Sequence, residues 1–456
     1  MFSYYVTEGL SARGCRPCAQ SFFFLIMRLL IVIPHFMIGG AQRLLSDLVP
    51  LMARRDDIDI TIALYQNPEG AMMLRPILRN PMVKIRVLNI PLSHKAFLNP
   101  LIRRRAISGL RDLMKEADVC HVHLFPALYD AALAARGLPV RLIFTNHNTT
   151  NRRRRYPLLR PLERLIYSRY DALACISPAS ARSLSAWLSL HPTDERLSII
   201  PNGINSDIFN FHSRANDSFD SSVIPPDDNT DFLTSFAVGP DLDRRRRMER
   251  AEIRNEEEVF GRKGHAVLMI SRFVDNKDQD SLIRAFSILK HDPGYADLIP
   301  ADTFIVFVGS GPRIEICRRL AREYGVADDV AFLGDRHDLP RLIAAASVGC
   351  QISHWEGFGL TACEIMAGEL PLIASNVSGM GDLVKEGASL VAPENPEEIA
   401  RAIADILAPV SPDAFNDLHL RMAAGRRIAN RYHIRHTLEG YLDLYHRLST
   451  LTPSKN

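Results

Sequence analysis

The sequence predicts an α/β protein made of two doubly wound parallel sheets, and three observations carry the prediction. Short runs hydrophobic on both faces recur along the chain, amphipathic stretches of helical period separate them, and the whole alternation occurs twice. Strands that are apolar on both faces belong to parallel sheets covered by helices on either side. With 456 residues, the chain is long enough for two or three domains.

In the first half, strands are expected near 28–33, 58–66, 84–90, 119–124, 141–147, 172–177 and 197–201. The second half repeats the pattern near 266–272, 303–308, 330–333, 348–352, 371–375 and 388–392. Between them, residues 211–263 are rich in Asp, Ser, Asn, Pro and Arg with little apolar periodicity before Met248, which reads as a partly disordered linker or insertion. After Leu407 the chain turns helical again, with Pro412–Arg431 and Thr437–Leu448 as amphipathic candidates. The expected organisation is therefore a first domain over 27–210, a second over 264–407 and terminal helices over 408–456. Residues 1–26 read as a disordered extension or an upstream start-codon artefact, because Met27-Arg28-Leu29-Leu30 runs straight into a buried strand. The apolar run Phe22–Ile33 is broken by Arg28 and is too short to span a bilayer.

Composition narrows the function. At 47% hydrophobic and 23% charged residues the chain is ordinary globular material, and a net charge of +3 gives no argument for nucleic acid. Seven scattered cysteines form no disulfide framework, which points to a reducing, cytoplasmic compartment. Cys15 and Cys18 lack the second pair that a zinc site needs, and no metal is expected. Arginines cluster at Arg152–Arg155 and Arg244–Arg247, the latter expected as a solvated face.

The most informative segment is Ser353-His354-Trp355-Glu356-Gly357-Phe358-Gly359-Leu360-Thr361-Ala362-Cys363-Glu364. Gly357 and Gly359 let backbone amides approach a ligand, and a helix opening directly after them favours an anion such as a diphosphate. A carboxylate offers a phosphate nothing, so Glu356 and Glu364 are expected to hold sugar hydroxyls on either side of it. The first strand ends in a second glycine pair, Gly39-Gly40, at another helix start, without the full dinucleotide fingerprint. Strand alternation puts His121 and His123 on one face, with His123 at the strand end.

The Glu356/Glu364 spacing with the EGFGL loop, continuing in register through Ser378-Gly379 and Asp382, resembles the retaining glycosyltransferases of family 4. Met269-Ile270-Ser271-Arg272-Phe273-Val274-Asp275-Asn276-Lys277-Asp278-Gln279-Asp280 resembles that family's GRLxxxKGxD segment, departing at Ser271, Asp278 and Gln279 but keeping Arg272 and Lys277 at their spacing. Val308-Gly309-Ser310-Gly311-Pro312 and Pro201-Asn202-Gly203-Ile204-Asn205 resemble VGxGP and the hinge PNGVD.

The resemblance covers roughly residues 28–210 and 264–407. It implies the GT-B fold, two Rossmann-like domains facing across a cleft, with the first binding the acceptor, the second the nucleotide-sugar donor, and terminal helices crossing back to the first. It further implies that Arg272 and Lys277 clamp the donor diphosphate together with amides of Phe358, Gly359 and Leu360, that Gly39 and Gly40 lie near it, and that Glu364 binds the ribose and Glu356 the donor sugar. His123 would lie beside the reacting sugar, Arg336 near the base or ribose, and His147 and Asn148 on the acceptor side. No cofactor is implied beyond the nucleoside-diphosphate sugar. The acceptor is expected to be a glycan or lipid-linked glycan, with Arg152, Arg153, Arg154 and Arg155 resting on anionic lipid at the inner face of the cytoplasmic membrane. Two rival readings stay open: a nucleotide-sugar epimerase or hydrolase on the same fold, and a non-catalytic scaffold that binds nucleotide sugars.

Overall fold

The structure is a computed structural model that describes residues 26–37, 39–66, 74–149, 152–191, 193–209 and 259–450. The extension up to residue 25, most of the expected insertion, Cys15, Cys18 and Arg244–Arg247 lie outside the described residues.

Two all-parallel sheets form the framework. The first holds β1 (Met27–Ile33), β2 (Ile58–Leu64), β3 (Val83–Val87), β4 (Val119–His123), β5 (Arg141–Asn146), β6 (Ala172–Cys175) and β7 (Leu197–Ile199) in the order β3-β2-β1-β4-β5-β6-β7. The second holds β8 (Ala266–Ile270), β9 (Phe304–Val308), β10 (Val330–Phe332), β11 (Val348–Gln351), β12 (Leu372–Ser375) and β13 (Ala388–Val391) in the order β10-β9-β8-β11-β12-β13. In both, the order reverses beside the first strand, at β1/β4 and β8/β11, which opens a crevice at the carboxyl ends where ligands of such sheets sit.

Every expected strand is present, but most end one to three residues early. The residues removed are turning into cleft loops: Tyr65 and Gln66, expected in β2, both donate to the Pro34 carbonyl (3.1 Å) rather than to a neighbouring strand.

The terminal helices join the two halves. Helix Pro412–Arg431 begins with Ser411 accepting from the Ala414 amide, and its Ile428 and Ala429 bury in the second domain's core. At Tyr432 the chain turns beside the hinge, where the Ile204 amide donates to the Tyr432 carbonyl (2.9 Å) and the Ile434 amide returns to the Ile204 carbonyl (2.7 Å). Helix Ile434–Thr450 then lays Tyr441, Leu444, Tyr445 and Leu448 into the core beside β1 and helix Gly40–Met52. Each such buried side chain contributes about 2 kcal/mol, and cutting Leu444 to Ala would cost about 2–5 kcal/mol.

Candidate active site

Several helices begin with a side-chain cap: Ser93, Asn99, Ser177, Asp278, Asn395 and Ser411 each accept from an amide of the first turn. The helices that begin at Gly40 and Leu360, on the cleft, are among those that do not. Gly39 precedes helix Gly40–Met52 and Gly359 precedes helix Leu360–Ala367, and neither can supply a cap, so first-turn amides stay available to an anion. Gly359 sits at φ 98, a conformation costly for any side chain. The two starts face each other, since a Cβ on Gly40 would stand 3.8 Å from Leu360 Cδ1.

The acidic loop is bound to the first domain. Thr149 Oγ1 donates to the Glu356 carbonyl (3.1 Å), Ser177 Oγ donates to the Gly357 carbonyl (3.0 Å), and a Cβ on Gly357 would lie 2.6 Å from the His147 carbonyl. A side chain at Gly357 would therefore push the domains apart.

Glu356 takes three donors on one oxygen: the Lys277 ammonium, Gln351 Nε2 (2.8 Å) and Ser353 Oγ (2.8 Å) all meet Oε1. Burial would raise this carboxyl, but the Lys277 charge and the three hydrogen bonds outweigh it and hold it below the usual carboxylate range. Oε2 takes none of the three. Lys277 is thus already paired with the residue expected to hold the donor sugar. It is placed there by an antiparallel bridge between Lys277 and Ser353 and by the Asp278 amide donating to the Ile352 carbonyl (3.2 Å).

Arg272 is exposed in the cleft, and among the described residues no ion pair is recorded for it. Its charge reaches His35, at the end of β1, whose imidazole is held below its ordinary pKa first by burial and then by Arg272. Arg272 therefore faces the loop that leads to Gly39-Gly40. Arg336 makes a bidentate pair with Asp338 (2.8 and 2.6 Å) in the loop after β10, and Phe358 turns its ring inward against Tyr432.

At the end of β4, His123 is fully buried and its Nδ1 hydrogen-bonds His147 Nε2 (2.9 Å). The other ring nitrogens, His123 Nε2 and His147 Nδ1, are buried without a partner among the described residues. His121 spends both nitrogens on Tyr445 OH (2.6 Å) and Thr145 Oγ1 (2.7 Å), which makes it a structural residue that ties the terminal helix to β4. Burial keeps all three rings neutral, pushing His121 down to about 3 and His147 down to about 4. Asn148 is exposed beside them, with its carbonyl accepting from Asn146.

Of the four arginines expected to rest on lipid, Arg153 and Arg154 have described side chains, and both turn to partners within the first domain. Arg153 turns inward to Glu163 Oε1 (2.7 Å) and lies over the rings of Phe125 and Tyr129, while Arg154 donates to the Thr149 carbonyl (3.0 Å) and Ser183 Oγ. The physical reason is Glu163, a carboxylate 1% exposed that requires a cation, and Arg153 supplies it. The segment exposes Tyr156, Leu158, Leu162 and Leu165, with Arg164 and Arg169 exposed among them.

The sequence reading missed Arg43. This residue of helix Gly40–Met52 donates to Asp47 Oδ2 (2.9 Å) and pairs across the cleft with Glu364 Oε1 (3.7 Å). Glu364 is buried there, and burial pushes its carboxyl up to about 7, Arg43 opposing and Asp47 reinforcing the shift.

Two family models match this chain: Glycosyl transferases group 1 over residues 250–411 and Glycosyltransferase Family 4 over residues 38–208. Among curated relatives, the GDP-mannose-dependent alpha-(1-6)-phosphatidylinositol monomannoside mannosyltransferase of Mycobacterium tuberculosis is 31% identical over 222 residues, 45% of this chain and 54% of that protein. The chain thus spans about half the length of that relative. The corresponding enzyme of Mycolicibacterium smegmatis is 27% identical over 69% of this chain and 84% of its own. The D-inositol 3-phosphate glycosyltransferase of Salinispora tropica is 34% identical over 40% of this chain and 38% of its own. Among solved structures, Anabaena HepE in complex with UDP and glucose superposes with a TM-score of 0.68 at 18% identity, covering 93% of this chain and all of that one. Sucrose-phosphate synthase from Thermosynechococcus elongatus superposes with a TM-score of 0.68 at 17% identity, covering 92% and 99%.

Proposed function

The chain belongs to the glycosyltransferases of family 4, and from that premise we propose that it moves a sugar from a nucleoside diphosphate to a hydroxyl of a glycan or lipid-linked acceptor, retaining the anomeric configuration. The observation that carries the proposal is the pair of uncapped helix starts facing each other at Gly40 and Leu360, with Arg272 exposed beside them. A diphosphate placed there receives amides, helix dipoles and a guanidinium together.

In the reaction, the bond from the sugar's anomeric carbon to the diphosphate oxygen breaks, and charge accumulates on the departing diphosphate. Arg272 and the amides of the Leu360 helix stabilise that charge, joined by Lys277, which reaches the same space while paired with Glu356. Fixed cations suffice for this in the proposed mechanism, without a divalent metal. The acceptor oxygen bonds the anomeric carbon on the face the diphosphate leaves, and its proton passes to the departing phosphate oxygen. His123 lies beside the sugar, its Nε2 without a partner among the described residues, Glu356 Oε2 holds a sugar hydroxyl, and Glu364 holds the ribose. The acceptor lies against His147 and Asn148.

The named activities of the mycobacterial and Salinispora relatives support a nucleotide-sugar donor and acceptors of the inositol or lipid-linked class. No helix of the described residues is long and apolar enough to cross a membrane. Contact with an anionic membrane on the cytoplasmic side is proposed through Tyr156, Leu158, Leu162 and Leu165 with the neighbouring arginines. The test is a thermal-shift screen against nucleoside-diphosphate sugars, followed by NMR of the product's anomeric proton: an α-linked donor giving an α-linked product supports the proposal.

A further inference from the structure

Glu364 lies in a helix of the second domain, yet the cation that faces it comes from the first. Its side chain is 6% exposed, and among the described residues its recorded partner is Arg43, at 3.7 Å, a separation that holds charge without a hydrogen bond. Arg43 is itself fixed: its Nε donates to Asp47 Oδ2 at 2.9 Å, one turn along the same helix, and its side chain is 24% exposed. The guanidinium thus stands between two carboxylates that would otherwise repel each other in a poorly hydrated space. Because Arg43 takes up little of Glu364's hydrogen-bonding capacity, the carboxylate oxygens remain open to other donors.

We infer that Arg43 is a positioning residue for the nucleotide site, holding Glu364 charged and aimed so that it accepts the ribose hydroxyls, and making ribose recognition depend on the first domain being docked. The inference rests on the ribose role proposed for Glu364. Three observations support it. Arg43 stands three residues after Gly40, whose helix start already faces Leu360, so the two domains bring a phosphate cradle and a ribose carboxylate together in one closure. The partnership with Asp47 keeps the guanidinium from entering the nucleotide pocket itself. The Thr149 and Ser177 hydroxyls that hold the Glu356-Gly357 carbonyls fix the same domain arrangement on the other side of the loop.

The experiment is isothermal titration of the whole protein with UDP and GDP and with their 2′,3′-dideoxy analogues, in wild type, Arg43→Met, Arg43→Lys, Glu364→Gln and the double variant Arg43→Met/Glu364→Gln. Arg43→Met should raise the Kd of the ribonucleotide about tenfold and leave that of the dideoxy analogue unchanged. It should add nothing in the Glu364→Gln background, and Arg43→Lys should recover most of the loss. A Kd raised equally for both nucleotides, or raised further in the double variant, would place Arg43 on the diphosphate and overturn the inference. So would an Arg43→Met protein that melts at lower temperature but binds the ribonucleotide as wild type does. Should Arg43→Met fail to fold, Arg43→Lys decides: a ribonucleotide-selective rise of about threefold supports the inference, and an unchanged Kd overturns it. If Glu364→Gln binds normally, or the wild type binds neither nucleotide, the ribose reading falls first and the inference with it.

Discussion

Lys277 and Glu356 form an ion pair that is nearly buried, their side chains 13% and 11% exposed, and the pair stands where the donor's sugar and diphosphate are proposed to meet. Removing one partner leaves the other charge without compensation. Lys277→Ala should therefore destabilise the fold by about 3–5 kcal/mol, and replacing both partners with Met and Gln should cost less. Urea denaturation of the three proteins checks the order. If the single and double variants are equally destabilised, the pair is not the relevant interaction.

Glu356 and Glu364 should respond to pH in opposite senses. The folded-state pKa of Glu356 lies below its unfolded value, so its contribution to stability is present above the unfolded pKa and is lost as pH falls through the folded one. That of Glu364 is raised to about 7, so the stability it lends is present below the unfolded pKa and is lost as pH rises towards about 7. Nucleotide binding needs the ionised form of Glu364. Donor affinity should accordingly increase as pH passes upward through about 7 and become flat in Glu364→Gln, as read by calorimetry across that range.

His123→Ala should lower turnover on the order of a hundredfold, the scale of losing one placed hydrogen-bonding group beside developing charge, with little change in donor Kd. His123 is fully buried and bonded to His147, so the same change also opens a cavity and should lower the melting temperature by several degrees, with turnover compared at a temperature where the variant is folded. A large drop in melting temperature with turnover preserved would make His123 a core residue.

The positions of these groups were legible in the sequence to different degrees. Strands buried on both faces are continuous apolar runs, so β8 and β9 could be placed from their runs alone. Their ends could not, because residues such as Tyr65 stay buried after leaving the ladder. Gly357, Gly359, Arg272 and Lys277 stood out because their spacing lies within single loops. Arg43 and Glu364 are 321 positions apart and meet only through domain docking. The inward turn of Arg153 depends on a buried Glu163 ten residues later, which no periodicity of a short 3-10 turn reveals.

The exposed apolar side chains make a membrane prediction. Changing Tyr156, Leu158, Leu162 and Leu165 to Ser should abolish co-sedimentation with anionic liposomes at low salt, and substituting Arg153 should act mainly by destabilising the fold. Nucleotide binding should persist in the four-Ser variant. If the wild type ignores liposomes of phosphatidylglycerol at low salt, a soluble acceptor is favoured.

The most direct test of the donor site is calorimetric titration with a panel of nucleoside-diphosphate sugars in the presence of EDTA, on wild type, Arg272→Ala and Lys277→Ala, with turnover measured alongside. The cations act mainly on charge that grows as the diphosphate leaves, so both variants should lose more in turnover than in donor affinity, and the wild type should bind and turn over without added metal. Failure of every donor to bind the wild type, or unchanged turnover in both variants, would contradict the assignment.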